Sequence, residues 1–110
     1  MKVWVAQVRK GLVELCLMAA LEGGEAYGYE LLQRLARAEG LAITESTVYP
    51  ILARLTEEGL LTVRAAPSPA GPPRRYYRLT RIGRARLREM TAYWKEIRAS
   101  VETLTQGVAS

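Results

Sequence analysis

Between Arg74 and Arg88 the chain carries seven arginines (Arg74, Arg75, Arg78, Arg81, Arg84, Arg86 and Arg88) and no acidic residue. A guanidinium is planar, permanently charged and forked, so such a cluster suits bidentate contact with phosphate oxygens. Arg74 and Arg75 leave a loop stiffened by Pro69, Pro72 and Pro73, which delivers their charge, with that of Arg78, to a defined place. Arg86 and Arg88 fit equally well as the solvated outer face of a helix. A second group lies upstream in "TESTVYPILARL": Ser46, Thr47, Tyr49 and Arg54 are polar groups spaced to share the outward side of a helix with Pro50 and Ala53. Hydroxyls near a helix start can bond base edges or phosphates, and Arg54 can reach a phosphate.

Other chemistries are poorly served. The 110 residues include no His, no Asp and a single Cys, so the common zinc sites and a Ser-His-Asp triad cannot be assembled. No pair of the eleven Glu shows a catalytic spacing, and neither an enzyme, a metal nor a cofactor is expected. Cys16 has no partner for an intrachain disulfide, which suits a reducing compartment. The apolar run Leu12–Leu21 is broken by Glu14 and too short to span a bilayer, so a cytoplasmic protein without membrane association is expected. The net charge of +5 and pI near 9.7 favour polyanionic partners.

The elements that must position these groups are read from periodicity. Val8 to Glu22 has a helical apolar face at Val8, Leu12, Leu15, Cys16 and Ala19, with Val13, Leu17 and Ala20 opposite, and ends at Gly23-Gly24. A second helix is expected from Ala26 to Glu39, with Leu31, Leu32, Leu35 and Ala36 inward and Gly40 as its stop. Thr44 is placed to cap a third, whose inward face is Val48, Ile51, Leu52 and Leu55 and whose stop is Gly59. Pro50 implies either that this helix starts there or that its first turn is kinked and solvated. Period-two runs in "LLTVRA" and "RRYYRL" flank a proline-rich loop and predict a hairpin. Thr80 then caps a last helix reaching Leu104 or beyond. This order predicts a mainly α chain with a small β-hairpin: a winged helix-turn-helix domain over residues 1–80 and a long dimerisation helix over 81–110.

In such a fold the third helix enters the major groove and the hairpin follows the phosphate backbone, making double-stranded DNA the expected partner of Ser46, Thr47, Tyr49, Arg54, Arg74, Arg75 and Arg78. A winged-helix adaptor binding protein instead of DNA is the alternative. The blocks "GLVELCLMAAL", "AYGYELLQRL", "TESTVYPILARLTEEGLL" and "GPPRRYYRLTRIGRARL" resemble, in order and spacing, the PadR family of bacterial transcriptional regulators over roughly residues 8 to 94. The resemblance implies a homodimeric, usually repressing, DNA-binding protein that dimerises through its last helix. It also puts Ser46, Thr47, Tyr49 and the wing arginines at the family's DNA-contacting positions, and it implies the subgroup with a short C-terminal part.

Independently of the resemblance, Leu87, Met90, Trp94, Ile97, Val101, Leu104 and Val108 are spaced 3, 4, 3, 4, 3, 4, the seam of a helix packed on another helix. Val3, Trp4 and Val8 are expected to join this dimer interface. Two copies would present two recognition helices to inverted half-sites one or two helical turns apart. Trp4 and Trp94 could stack on a flat aromatic or hydrophobic effector, and Cys16 is a weak candidate for a redox switch.

Overall fold

Leu17, Met18, Leu31, Val48, Leu52, Leu55, Leu60 and Leu61 lose nearly all their exposure to solvent, and every α-helix and strand of the fold contributes to the core they form. The computed structural model describes residues 1–106; Val108 of the expected seam lies outside them. In chain order the elements are α1 (Lys2–Ala20), β1 (Ala26–Tyr27), α2 (Gly28–Leu35), a 3-10 turn (Glu39–Leu41), α3 (Glu45–Glu57), β2 (Leu61–Ala66), β3 (Arg74–Leu79) and α4 (Arg81–Gln106). The strands form an antiparallel sheet ordered β1-β3-β2. The mainly helical fold with a small sheet and a long last helix is as the sequence predicts.

Several boundaries differ, each for a local reason. α1 begins at Lys2 rather than near Val8, so Val3 and Trp4 lie within the helix. Its core face is Val13, Leu17 and Met18, while Val8 and Ala19 are exposed. Ala26 and Tyr27 do not start the second helix; they pair with Tyr77 and Tyr76 of β3 as an edge strand. The helix begins only at Gly28, where the Glu30 carboxylate accepts the Tyr27 N–H at 3.1 Å. It ends at Leu35, so Ala36 is exposed and the chain reaches α3 through the 3-10 turn and a left-handed Ala42 (φ 47°).

α3 runs straight through Pro50, which rules out a start at that residue. Proline there removes the bond that the Ser46 carbonyl would accept, and Ser46 and Pro50 are both exposed, so water serves that turn. Thr44 does occupy the cap position, but its hydroxyl pairs with Ser46 Oγ at 3.0 Å instead of a backbone N–H.

The end of α3 is stricter. Gly59 has φ of 80°, its N–H reaches the Thr56 carbonyl at 3.1 Å, and the Leu60 N–H reaches the Leu55 carbonyl at 2.9 Å. These two bonds form a Schellman motif, which turns the chain directly into β2. At the far end of the hairpin, Thr80 donates its N–H to the Leu60 carbonyl (3.0 Å) and its hydroxyl to the Gly59 carbonyl (2.7 Å). The same hydroxyl accepts the Gly83 N–H at 2.9 Å and so caps α4. Gly83 rests so closely on the Leu60 carbonyl that a β-carbon there would collide with it.

Backbone cannot yield as a flexible side-chain end can, so Gly83→Ala should cost about 1–3 kcal/mol. Urea unfolding should show the loss as a lower midpoint at unchanged slope, and an unaltered midpoint would mean that α4 can move away from Leu60 without penalty.

Candidate nucleic-acid interface

Successive residues of α3 turn by about 100° around its axis, which sorts its side chains into four sets. Val48, Leu52 and Leu55 point into the core. Ser46 and Pro50 crown the exposed ridge, Tyr49 and Ala53 lie on its α2 side, and Thr47 and Ile51 lie on its α1 side. On the α2 side an open cleft of about 740 Å³ separates the ridge from the hairpin, lined by Tyr27, Gly28, Tyr29, Tyr49, Ala53, Pro73, Arg74, Arg75 and Tyr77. Three of the predicted helix and wing residues, Tyr49, Arg74 and Arg75, thus face one groove.

Tyr49 lies flat over the start of α2. A β-carbon at Gly28 would stand 2.6 Å from its hydroxyl oxygen, so only glycine admits the ring. Burial, then Glu45 and Tyr77, raise the Tyr49 hydroxyl above the usual tyrosine value. It therefore keeps its proton at neutral pH and is available as a donor while part of the ring remains exposed.

The hairpin positions its arginines unequally. Register pairs Ala66 with Arg74, Ala65 with Arg75 and Val63 with Tyr77. Arg75 shares a sheet face with the buried Tyr77 and Leu79, but lies beyond the core and is exposed. Val63 and Ala65, which alternate with Thr62 and Arg64, are exposed because the hairpin leaves the body after its first residue pairs. Arg74 folds over the Tyr27 ring, 4.3 Å from its centroid, and still borders the groove. Arg78 is exposed on the opposite sheet face, beside Glu25, Arg64 and Tyr76. At the tip the Ser68 hydroxyl donates to the Pro72 carbonyl at 2.8 Å, adding a hydrogen bond to the proline-stiffened turn.

Arg54 is not brought to this groove. Its guanidinium is paired with Glu14 of α1 and, at 3.2 Å, with Glu58, joining α3 to α1. Sequence reading also missed Arg64, which lies 4.6 Å over the Tyr76 ring and is held in a two-pronged pair by Glu25, with Nε to Oε2 at 3.0 Å. The signal was present in "VRA" facing "RYY" across the hairpin, but the ion pair depends on β1, whose two residues carry no strand pattern. Hydrogen bonding from Arg64 holds the Glu25 carboxyl below its ordinary value.

The expected dimer seam divides. Leu87 is only 3% exposed and is spent inside its own domain, while Met90 packs in part on the same core and in part borders a small apolar pocket with Leu12 and Trp94. The cause is the tight seat of Gly83, which holds the first turns of α4 against the sheet. Trp94, Ile97 and Val101 instead border a second, apolar groove of about 530 Å³ with Trp4, Val8 and Leu12 of α1. From Lys95 to Gln106 every residue of α4 is exposed, Leu104 among them. Cys16 is half-buried, and that burial raises its thiol above the ordinary value, away from the thiolate a redox switch needs. Among the described residues no helix is long and apolar enough to cross a membrane, and no cluster of His, Cys or Glu could hold a metal ion.

Comparison with known proteins gives this geometry a context. Residues 17–89 match the sequence model of the transcriptional regulator PadR-like family. A PadR-like transcription factor from Bacteroides fragilis is 40% identical, with a TM-score of 0.76 over 90% of this chain and 95% of that one. A PadR family transcriptional regulator from Eggerthella lenta is 34% identical, with a TM-score of 0.81 over 94% of this chain and 90% of that one. Bacillus subtilis PadR, solved in complex with operator DNA, is 26% identical with a TM-score of 0.64; the match covers 73% of this chain and 46% of that longer one.

The Glu25–Arg64 pair can be followed by titration. Because the folded-state pKa of Glu25 is depressed, the pair is complete above the ordinary carboxylate range and loosens as pH falls through the lowered value. Carboxyl carbon shifts in a pH series should place Glu25 below that range, and Arg64→Ala should move it up; an unshifted Glu25 in the parent chain would leave Arg64 unheld.

Proposed function

The chain belongs to the PadR-like family of transcriptional regulators, and on that premise we propose that it acts as a homodimeric repressor that occupies an inverted-repeat operator. The family consists of regulators, not enzymes. The observation that carries the DNA reading is the groove between the α3 ridge and the hairpin, with Tyr49 on one wall and Arg74 and Arg75 on the other. The helix reads base edges through Ser46, Thr47 and Tyr49, and the hairpin fixes register by holding the strand beside them. Bacillus subtilis PadR, caught on its operator, supports the assignment. Arg78, on the other face of the sheet, meets phosphate only where the duplex reaches round the hairpin, and Arg54 contributes by bracing α3 against α1. In domain terms, residues 1–80 bind DNA and residues 81–110 join subunits, with α1 shared between the two tasks. Operation on promoter DNA places the protein in the cytoplasm.

Dimerisation rests on unsatisfied apolar surface. Trp4 and Val101, which border one groove, are 60 and 52% exposed, and Leu104, one turn further along α4, is 71% exposed, far more than a lone domain leaves in a row. A second copy laying its own α1 and α4 on this seam would bury these side chains and bring two α3 ridges to one side of the assembly. The Trp-walled groove, covered in this way, is the place for a flat hydrophobic or aromatic effector whose arrival changes the spacing of the two ridges. A protein-binding adaptor would use the same seam but would have no need of the arginine-lined cleft.

Two experiments separate these roles. In salt-titrated anisotropy with a duplex from the gene's own promoter, the Arg74→Ala/Arg75→Ala variant should lose affinity for all sequences alike and lower the salt slope by about 1 per lost phosphate contact. Ser46→Ala and Tyr49→Ala should in addition change which duplex is preferred; equal losses on promoter and scrambled DNA would remove α3 from the reading role. Val101→Glu/Leu104→Glu should sediment as a monomer and lose quenching of its Trp fluorescence by planar aromatic compounds. A stable dimer in that variant would place the subunit contact elsewhere.

A further inference from the structure

The α3 ridge has a second groove on its other flank. About 300 Å³ in volume, it is lined by Ala6, Arg9, Lys10 and Val13 of α1, by Leu41, Ala42 and Ile43 of the link, and by Thr47 and Ile51 of α3. Its charged side chains, Arg9 and Lys10, are both basic. Arg9 Nε is buried without a hydrogen-bond partner, the sole such side-chain atom among the described residues. A buried guanidinium N–H left unpaired costs more than an ordinary lost hydrogen bond, so it marks a place where an acceptor is missing. Glu14, the nearest acid along that flank of α1, is already taken by Arg54 and cannot supply it. The link is held open by Ala42 in a left-handed conformation (φ 47°) that alanine seldom adopts.

We propose that Arg9 and Lys10 hold a backbone phosphate of bound duplex on the α1 flank of α3, on the strand opposite the one met by the wing. This rests on the reading of α3 as the helix that enters the major groove. That groove is about 12 Å wide and walled by two sugar-phosphate strands, so a helix lying in it has phosphates on both flanks. One flank carries Arg74 and Arg75; the other carries Arg9 and Lys10, with the Thr47 hydroxyl between them and the ridge. Arg9 Nε is closed to solvent in the unbound chain, so the side chain turns outward to meet a phosphate oxygen and gains the acceptor it lacks at rest, and a clamp on both strands fixes the depth and tilt of α3 where the wing alone would let it pivot.

The test compares salt slopes for the parent chain, Arg9→Gln/Lys10→Gln, Lys10→Gln alone and Arg74→Ala/Arg75→Ala, each on promoter and scrambled duplexes. Loss of the clamp should lower the slope by about 1 per contact in each subunit, and weaken both duplexes alike. An unchanged slope in Arg9→Gln/Lys10→Gln beside a reduced one in the wing variant would overturn the clamp and leave the DNA reading standing. A parent chain that binds no duplex would overturn both. Should the double variant fail to fold, the exposed Lys10→Gln decides: a lowered slope supports the clamp, an unchanged one removes it.

Discussion

One hydroxyl ties together the three working parts of the molecule. Thr80 Oγ1 donates to the Gly59 carbonyl, at the end of α3, and accepts the Gly83 N–H, at the start of α4. The Thr80 N–H, where β3 ends, is bound to the Leu60 carbonyl, where β2 is about to begin. The helix, the hairpin and the long C-terminal helix are therefore fixed to one another within a few residues of backbone, and the absence of a side chain at Gly83 lets them approach. Such a junction matters because the parts do little separately. A hairpin of this length is marginal alone, and the second half of α4 is exposed throughout, with Ile97 and Val101 only bordering an open groove with α1.

The positive charge is more structured than its total implies. Arg54 and Arg64 are neutralised by Glu14, Glu58 and Glu25, and brace α3 and the sheet. Arg74 has an aromatic ring for support, Arg75 has none, and Arg9 has a buried nitrogen with no acceptor. Three arginines without a carboxylate partner, Arg74 and Arg75 on one side and Arg9 on the other, border the two flanks of the α3 ridge. Net charge brings a polyanion near from any direction, but this division between spent and unspent guanidiniums gives it a docking direction.

How much of this could be read from residues alone follows from how local each feature is. The stop at Gly59, the cap at Thr80 and the proline-bordered hairpin depend on neighbours a few residues away and are found where the pattern puts them, whereas α1 and α2 are helical as expected but with other bounds and inward faces. β1 was missed because Ala26 and Tyr27 are strand only by virtue of Tyr76 and Tyr77, about fifty positions on. Leu87 and Met90 fit a heptad as well as Trp94 does, and spacing cannot tell an intramolecular neighbour from an intermolecular one; the close seat of Gly83 decides it. Arg54 looked free for the same reason, since its partner Glu14 is forty residues away. The groove at Arg9 had no signal, because Arg9 and Lys10 lie in the middle of α1 and face the link and α3 only once the chain has folded.

α1 links the two surfaces. With about 100° between successive residues, Trp4, Val8 and Leu12 fall on one side of this helix and Ala6, Arg9, Lys10 and Val13 on the other. The first set borders the seam with α4, and the second borders the groove beside α3. A helix is stiff along its length, so a rotation of α1 that repacks Trp4 and Val8 against Trp94 must also turn Arg9 and Lys10 relative to Thr47. Glu14 ties the same helix to α3 through its ion pair with Arg54. The apolar seam and the basic groove beside α3 are thus two faces of one rod, which is why their residues interleave along a single stretch of sequence.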